Sequence, residues 1–262
     1  MTAPVFVVDA SALSPAVVGG RVAVSGPEGR HAVTVRRLTV GEAVDLVDGG
    51  GVRVSGTVAQ IVGKDSFEVS VGGIEREAEP QPRLTVVQAL PKGDRGELAV
   101  ELLTEVGVDE IVPWAAANCV TRWKPDRSER SWQRWSDAAR AAAKQSRRAR
   151  FPLVAPLAST REVADRLASA TTAIVLHEDG SVPIADIAMP ASGEVILVVG
   201  PEGGLHPDEL AAFPSALIVR LGPSVLRTSS AGMAAASALL SRTSRWQLPS
   251  EADGALGPGV EG

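Results

Sequence analysis

Two loops in the C-terminal half of the chain combine glycine, proline and polar residues in a pattern that could bind a ligand. Residues 200–204 read Gly-Pro-Glu-Gly-Gly, and residues 221–228 read Leu-Gly-Pro-Ser-Val-Leu-Arg-Thr. Each loop follows a short apolar run typical of a buried strand and precedes a predicted helix. Because ligands of parallel α/β sheets bind outside the carboxyl ends of the strands, the two loops together predict one ligand site.

The residues around the first loop argue against a phosphate ligand. Its glycines let another group approach the backbone closely or supply positive φ angles. However, no Lys-Ser/Thr pair follows them, as a P-loop requires. Asp208 and Glu209 fall in the first turn of the next predicted helix, where they complement the helix dipole and would repel a phosphate. The sequence therefore favours a ligand without phosphates, held mainly by backbone groups.

Arg227 is the charged residue at the end of the second loop. Its guanidinium could bind an RNA phosphate or a carboxylate through two hydrogen bonds, or could form a surface ion pair. Thr228, Ser229 and Ser230 are residue types that commonly cap helix N-termini. We expect at least one of them to cap the helix that follows.

Charge and composition limit the class of protein. The 262-residue chain carries a net charge of −5, yet residues 121–150 alone carry +7. This segment fits either local contact with nucleic acid or a solvated helix face. The single cysteine, Cys119, excludes an intramolecular disulfide, and three histidines far apart in sequence argue against a metal site. Without a signal-peptide pattern or a membrane-spanning run, we expect a cytoplasmic protein with no membrane partner.

The elements that position these residues fall into two predicted domains. Residues 1–74 contain short strands and glycine turns, which indicate a small β-barrel of a kind that often binds RNA. Residues 75–83 form a charged, proline-containing linker. Residues 84–248 alternate strands and helices, which predicts an α/β domain with a mostly parallel sheet. Residues 249–262 are predicted to be a disordered tail.

Four helices are predicted from local patterns. A short one covers residues 28–38. A second begins with Asp94 at its N-cap and Glu97 three residues on, and ends at Gly107. Its buried stripe is predicted to contain Leu98, Leu102 and Val106. The last two predicted helices cover residues 131–148 and 229–242. The face predicted for the first contains Trp132, Trp135, Ala139, Ala142 and Ser146, and the face predicted for the second contains Gly232, Ala235 and Ala236.

Several motifs, in the same chain order, resemble those of the RsmE-type 16S ribosomal RNA (uridine-N3) methyltransferases of the SPOUT superfamily. Besides the two loops, the matching segments are 31–37, 88–95, 104–108 and 142–148. The resemblance covers nearly the whole chain and implies an N-terminal PUA-like β-barrel and a C-terminal SPOUT domain with a trefoil knot. It implies methylation of uridine N3 near the decoding site of 16S rRNA, with S-adenosyl-L-methionine (AdoMet) as cofactor. The implied partners are an assembled small-subunit particle and a second subunit in a homodimer.

The implied reaction leads to hypotheses about the roles of individual residues. Arg227 or Arg147 would stabilise the negative charge that develops on the uracil, and Glu105 is either a general base or a structural hydrogen-bonding group. The small-residue face of helix 229–242 would contribute to the dimer contact. The RNA-binding candidates are Arg36, Arg37, Lys92, Gln145 and Arg148. The AdoMet-binding candidates are Leu176, His177, Glu178, Val199, Gly200, Pro201, Glu202, Gly203, Gly204, Leu221, Gly222, Ser224, Val225 and Leu226.

The chain departs from the family pattern at three positions. Members of the family often have Glu in place of Ser229, Lys in place of Leu102 and Gly in place of Arg147. Three alternatives stay open from the residues: a methyltransferase for another RNA such as tRNA, a non-catalytic RNA-binding assembly factor, or a small-molecule α/β enzyme with an unrelated basic helix.

Overall fold

The computed structural model describes residues 3–247, so the predicted tail 249–262 lies outside the described residues. Over the described range the strands form two sheets, one in each half of the chain. The elements of the N-terminal half are β1 (Val5–Val7), α1 (Ala10–Leu13), β2 (Arg21–Val24), α2 (Gly26–Arg30), β3 (Ala43–Val47), β4 (Val52–Val62) and β5 (Ser66–Arg76).

The N-terminal sheet has the strand order β1-β3-β4-β5-β2, with β1 parallel to β3 and the other pairs antiparallel. The register between β4 and β5 shifts at Ser55/Gly56 and at Val58/Gln60, and irregularities of this kind increase local twist and help to curl the sheet. Its core includes Phe6 and Phe67, whose rings meet edge to face at 5.3 Å. The structure thus confirms a small, curled β domain.

The prediction of a single regular helix over residues 28–38 is wrong. It is divided into α2 and a π-helical turn, His31–Val35, in which Arg36 N–H donates to the His31 carbonyl. Ala32 and Leu38 both lie in the sheet core. Because these two residues are six apart, a regular α-helix would turn one of them away from the core.

The C-terminal half alternates strands and helices, as the sequence predicts. Its elements are β6 (Arg83–Ala89), α3 (Arg95–Val106), β7 (Glu110–Trp114), α4 (Ser128–Gln145), β8 (Leu153–Val154), α5 (Thr160–Ser169), β9 (Thr172–Leu176), β10 (Val182–Pro183), β11 (Glu194–Val199), α6 (Pro207–Ala212), β12 (Leu217–Arg220) and α7 (Thr228–Leu240). The strand order is β10-β12-β9-β11-β6-β7-β8, and every pair is parallel.

This parallel sheet determines where the loops meet. Because the strands run in one direction, all of their carboxyl ends lie at one edge. Strand β9 lies between β11 and β12, so the loop after β9 separates the two loops with which the sequence analysis began. Buried residues dominate β6, β9 and β11, as expected of strands covered by helices on both faces.

Helix α3 ends at Gly107 as predicted, with φ 103° at that glycine, but its buried face differs from the prediction. Leu98 is 45% exposed, whereas Gly96, Ala99 and Leu103 are buried. A Cβ at Gly96 would lie 2.7 Å from Nε1 of the Trp135 indole, which belongs to α4. The close approach of α4 therefore determines which side of α3 faces inward. Asp94 occupies the N-cap, but its side chain forms no capping hydrogen bond.

The small residues of α7 pack inside the subunit. Gly232, Ala235 and Ala236 are buried, and a Cβ at Gly232 would lie 3.1 Å from Leu103 of α3 and 3.3 Å from Val199 of β11. The prediction that this face contributes to a dimer contact is therefore wrong, because the face already covers the subunit's own sheet. In α4, by contrast, the predicted face is largely confirmed, with Trp135, Ala139 and Ala142 buried and Ser146 exposed.

Candidate cofactor and RNA site

Three loops form one cleft of about 660 Å³ at the carboxyl edge of the parallel sheet. They follow β9, β11 and β12, which are adjacent in the sheet. All fourteen AdoMet-binding candidates of the sequence analysis line this cleft. The volume is in the range of small-molecule binding clefts, whose walls are mainly apolar with a few polar groups.

The loop at 200–204 is held by contacts from other loops. The Asn118 amide donates to the carbonyls of Gly203 and Gly204 at 3.2 and 3.1 Å. The backbone N–H of Lys92 donates to Oε1 of Glu202 at 3.2 Å. The loops after β6 and β7 therefore support the loop after β11, so the wall of the cleft has a fixed position.

Two glycines keep the backbone open toward the cleft. Gly204 has φ 73°, a left-handed conformation that favours glycine, and a Cβ there would meet nothing within 4 Å. A Cβ at Gly222 would also meet nothing within 4 Å. Since both residues line the cleft, a ligand can approach their backbone atoms without steric hindrance.

Glu209 anchors the end of the same loop. The side chain is buried, and its carboxylate accepts hydrogen bonds from the Ala117 N–H at 2.7 Å and the His206 N–H at 2.9 Å. The sequence analysis placed Glu209 and Asp208 at a helix start, and α6 confirms that placement. The sequence analysis did not predict the hydrogen bond from the Ala117 N–H to Glu209, because it joins residues that are 92 positions apart in the sequence.

The cleft has an apolar interior and charged groups of both signs. Leu176, Val199 and Leu205 provide apolar surface, whereas Glu178 and Glu202 contribute carboxylates. Besides Arg227, the lining residues that were not among the AdoMet-binding candidates are Leu205, Arg220, Pro223, Thr228 and Ala231. Because these residues lie in or next to the predicted loops in the sequence, they could have been predicted to line the cleft. For Asn118, which supports the loop from outside, the sequence carries no such signal.

Arg227 lies at the mouth of the cleft, where the loop after β12 enters α7. It is exposed, and no acidic side chain within residues 3–247 forms an ion pair with it. The residue is also the N-cap of α7, without a side-chain capping bond. The prediction that Thr228, Ser229 or Ser230 caps the helix is therefore wrong. Thr228 and Ser229 are already in the helix and are buried against the sheet.

The other two catalytic candidates lie outside the lining of this cleft. Glu105 is exposed on α3. Arg147 lies at the junction of the two halves of the chain, where its carbonyl accepts from Nη2 of Arg53 at 2.8 Å. Its φ of 59° is left-handed, which fits a position where members of the family often have glycine. Of the three catalytic candidates, only Arg227 therefore lines the cleft of its own subunit.

Four of the five RNA-binding candidates are exposed, namely Arg36, Arg37, Lys92 and Gln145. Arg148 differs, because its Nη1 donates to the carbonyls of Thr104 and Val108 at 2.8 Å each, and its Nη2 lies 3.9 Å from Asp109. Burial lowers the pKa of Arg148 to about 10. Its guanidinium is thus occupied within the fold. The prediction that it binds RNA does not agree with these contacts.

Two family models match the chain. One, described as RNA methyltransferase PUA domain, matches residues 24–72, and the other, described as RNA methyltransferase domain, matches residues 77–240. The second match covers more than half of the chain. Together with the parallel sheet and its cleft, these matches define an RNA methyltransferase of the SPOUT class with a PUA-like N-terminal domain.

Full-length relatives narrow the class further. Ribosomal RNA small subunit methyltransferase E of Mycobacterium bovis is 45% identical over 236 residues, which cover 87% of this chain and 89% of that relative. The Bacillus subtilis protein of the same name is 27% identical over 84% of this chain and 90% of its own. A Neisseria gonorrhoeae ribosomal RNA small subunit methyltransferase E, crystallised with S-adenosyl methionine, superposes with a TM-score of 0.80. It is 26% identical, and the match covers 92% of this chain and 98% of that one. The chain belongs to the ribosomal RNA small subunit methyltransferase E family.

Among residues 3–247, no helix has both the length and the apolar character needed to cross a membrane.

Proposed function

We propose that this chain transfers a methyl group from AdoMet to N3 of a uridine in 16S ribosomal RNA near the decoding site. The observation that carries the proposal is the meeting of three strand-end loops in one cleft. All fourteen predicted cofactor residues line that cleft, and Arg227 lies at its mouth.

The cleft fits the chemistry of AdoMet. The apolar side chains of Leu176, Val199 and Leu205 offer surface for an adenine ring. The open backbone at Gly204 and Gly222 can form hydrogen bonds with ligand atoms that approach closely. The carboxylates of Glu178 and Glu202 suit a ligand that carries positive charge on its sulfonium and its amino group.

When bound, AdoMet supplies an electrophilic methyl group. The task of the protein is to hold uridine N3 in line with that group, and placement of this kind can contribute up to about 7–11 kcal/mol. The N3 proton must leave as the new bond forms, so negative charge develops on the uracil ring. The guanidinium of Arg227 lies where it can stabilise that charge, because no acidic partner among residues 3–247 neutralises it.

The uridine must be turned out of its stack to reach the cleft, as in other enzymes that modify bases. Arg36, Arg37, Lys92 and Gln145 are exposed and are assigned to contacts with the RNA. Arg147 and Glu105 lie away from the cleft of their own subunit. A catalytic role for either one would require the cleft of a second subunit in the expected homodimer.

The wider features of the family extend the proposal. By its family resemblance, the C-terminal half of the chain is expected to contain a trefoil knot. The homodimer uses the outer, half-buried face of α7, which includes Met233 and Ala234, because the inner face is occupied. The enzyme acts in the cytoplasm on an assembled small-subunit particle.

Calorimetry and a methyl-transfer assay test the proposal. We expect the purified chain to bind AdoMet and to methylate small-subunit particles from cells that lack this modification. Nucleoside mass spectrometry should then show 3-methyluridine. Methylation of tRNA instead would favour another RNA substrate, and absence of AdoMet binding would favour a non-catalytic assembly factor.

A further inference from the structure

A second, smaller pocket of about 140 Å³ lies at the same edge of the sheet as the cofactor cleft, and shares none of its lining residues. We call it the Trp123 pocket. It is formed by the turn after β6 (Pro91 and Gly93), the loop after β7 (Trp123) and two helix faces, Gly96 of α3 and Trp135 of α4.

Segments that line the pocket are joined by hydrogen bonds to the loop that lines the cofactor cleft. The turn at 91–93 lines the pocket, and within this turn the N–H of Lys92 donates to Glu202 of the cofactor cleft at 3.2 Å. The loop after β7 likewise reaches the cleft through Asn118, which bonds to Gly203. A ligand that fills both spaces at once would therefore extend from the AdoMet cleft past these hydrogen-bonded segments.

The interior of the pocket is aromatic and has an unused donor. The indoles of Trp123 and Trp135 meet edge to face, with centroids 5.3 Å apart and an interplanar angle of 88°. Trp135 is only 3% exposed, yet its Nε1 forms no hydrogen bond with any of residues 3–247 and is not sealed from the pocket. Because this nitrogen is not among the fully buried polar atoms, an acceptor that enters the pocket can reach it.

The rim of the pocket is basic. Arg122 is exposed there, and its guanidinium donates to the carbonyls of Ala116 and Ala117 at 3.3 and 2.7 Å. Arg134 is 62% exposed and pairs at 2.6 Å with Glu97, which also lines the pocket. Both arginines belong to the segment 121–150, which carries a net charge of +7 in a chain of net charge −5. The pocket thus combines aromatic rings with surrounding positive charge. Proteins bind unpaired RNA nucleotides through this combination, with bases stacked on aromatic rings and phosphates near arginines.

We infer that the Trp123 pocket binds one unpaired nucleotide of the ribosomal RNA substrate, beside the nucleotide that enters the cofactor cleft. The base contacts the Trp123 indole, a carbonyl oxygen or ring nitrogen of the base accepts from Trp135 Nε1, and the neighbouring phosphates lie against Arg122 and Arg134. This inference rests on the proposed function, because it takes the substrate to be RNA.

The test compares Trp123→Leu with wild type for binding to unmethylated small-subunit particles and to a short oligouridylate. Loss of a stacking ring should weaken RNA binding on the order of tenfold, whereas AdoMet affinity should change less than about twofold. Trp123→Phe keeps an aromatic face and should recover most of the affinity. Trp246→Leu, which removes a 48% exposed indole elsewhere, is the matched control and should bind like wild type.

A second variant protects the test against misfolding. Arg134→Gln removes a cation from the rim at a side chain that is 62% exposed, so the packing of the core is unchanged. It should weaken RNA binding and lower its salt dependence while AdoMet still binds. Wild-type RNA affinity in both Trp123→Leu and Arg134→Gln would overturn the inference. The inference would also be overturned if the wild-type chain bound AdoMet but bound neither the small-subunit particles nor the oligouridylate. Failure of the wild-type chain to bind AdoMet would count against the proposed function alone.

Discussion

The backbone N–H of Lys92 donates to Oε1 of Glu202 at 3.2 Å, which joins the turn after β6 to the loop after β11. Strands β6 and β11 are neighbours in the sheet, so the bond ties two adjacent strand-end loops together. The loop that carries Glu202 forms a wall of the cofactor cleft. The position of that wall therefore depends on a residue outside the cleft.

Replacement of Glu202 should weaken AdoMet binding. Glu202→Ala removes the acceptor, and a hydrogen bond of this kind contributes about 1 kcal/mol, so we expect the Kd to rise about fivefold. Glu202→Gln keeps an amide oxygen that can accept from Lys92 and should remain closer to wild type. Calorimetric titration with AdoMet makes the comparison, and equal Kd values for Glu202→Ala and wild type would contradict the role given to the bond.

Gly203 should not tolerate a side chain. A Cβ at this position would lie 3.0 Å from the Cβ of Asn118 and 3.1 Å from its carbonyl oxygen, so the loop would have to move. We expect Gly203→Ala to raise the Kd for AdoMet more than about tenfold. Gly72→Ala is the control, because its Cβ would lie 3.5 Å from the nearest atom, in the N-terminal sheet. An unchanged Kd in Gly203→Ala would show that AdoMet binding does not depend on the position of this loop.

Arg227 should affect the chemical step more than cofactor binding. Arg227→Ala removes the cation assigned to the developing charge, and we expect kcat to fall about 10²–10³-fold. The Kd for AdoMet should change little. Arg161→Ala, which removes an exposed arginine of α5 outside the cleft, should keep full activity. Single-turnover methylation of small-subunit particles measures the effect, and undiminished turnover in Arg227→Ala would exclude this role.

Arg148 should matter for stability. In Arg148→Ala the carbonyls of Thr104 and Val108 lose the guanidinium donor, and Thr104 keeps only the Gly107 N–H, at 3.1 Å. Asp109 keeps Arg245 at 2.7 Å and the Leu84 N–H at 2.8 Å. We expect the free energy of unfolding to fall by about 2–4 kcal/mol in urea denaturation. Arg147→Ala, at the next position, should cost less than about 1 kcal/mol. A stable Arg148→Ala protein that has lost RNA affinity would instead restore the original RNA-binding prediction.

The capping box of α5 should give the stability a measurable acid dependence. Hydrogen bonds from the Ser159 N–H and hydroxyl hold the pKa of the Glu162 carboxyl below its usual value of 4.5. Because the folded pKa is the lower one, the stabilisation is fully present above pH 4.5 and is lost as the pH falls through the folded pKa. Glu162→Gln should show a smaller loss of stability over this range. Urea denaturation at several pH values measures the two stability profiles. Identical profiles for Glu162→Gln and wild type would contradict this role of the capping box.

Local patterns in the sequence predict the alternation of strands and helices in the C-terminal half and the ends of α3 and α7 to within a few residues, but not the strands β2, β8 and β10. They predict the cofactor loops because 200–204 and 221–228 each follow a buried strand. They do not predict that β9 separates β11 from β12, because sheet order depends on pairing between distant segments.

The incorrect predictions share a physical cause. The buried side of α3 depends on Trp135, which approaches Gly96 from another helix. The role of Arg148 depends on carbonyls 40 and 44 residues away. In each case the side chain type is compatible with several environments, and contacts distant in sequence determine which one it occupies. The family resemblance named three loops that the structure brings together in one cleft, because it compares whole sites rather than local patterns.

The most direct test of the account is mass spectrometry of 16S rRNA from a strain that lacks this gene. We expect 3-methyluridine to be absent from the decoding region in that strain. A copy encoding the wild-type chain should restore it, and a copy encoding Arg227→Ala should not. Full 3-methyluridine in the deletion strain, or its restoration by Arg227→Ala at wild-type levels, would contradict the account.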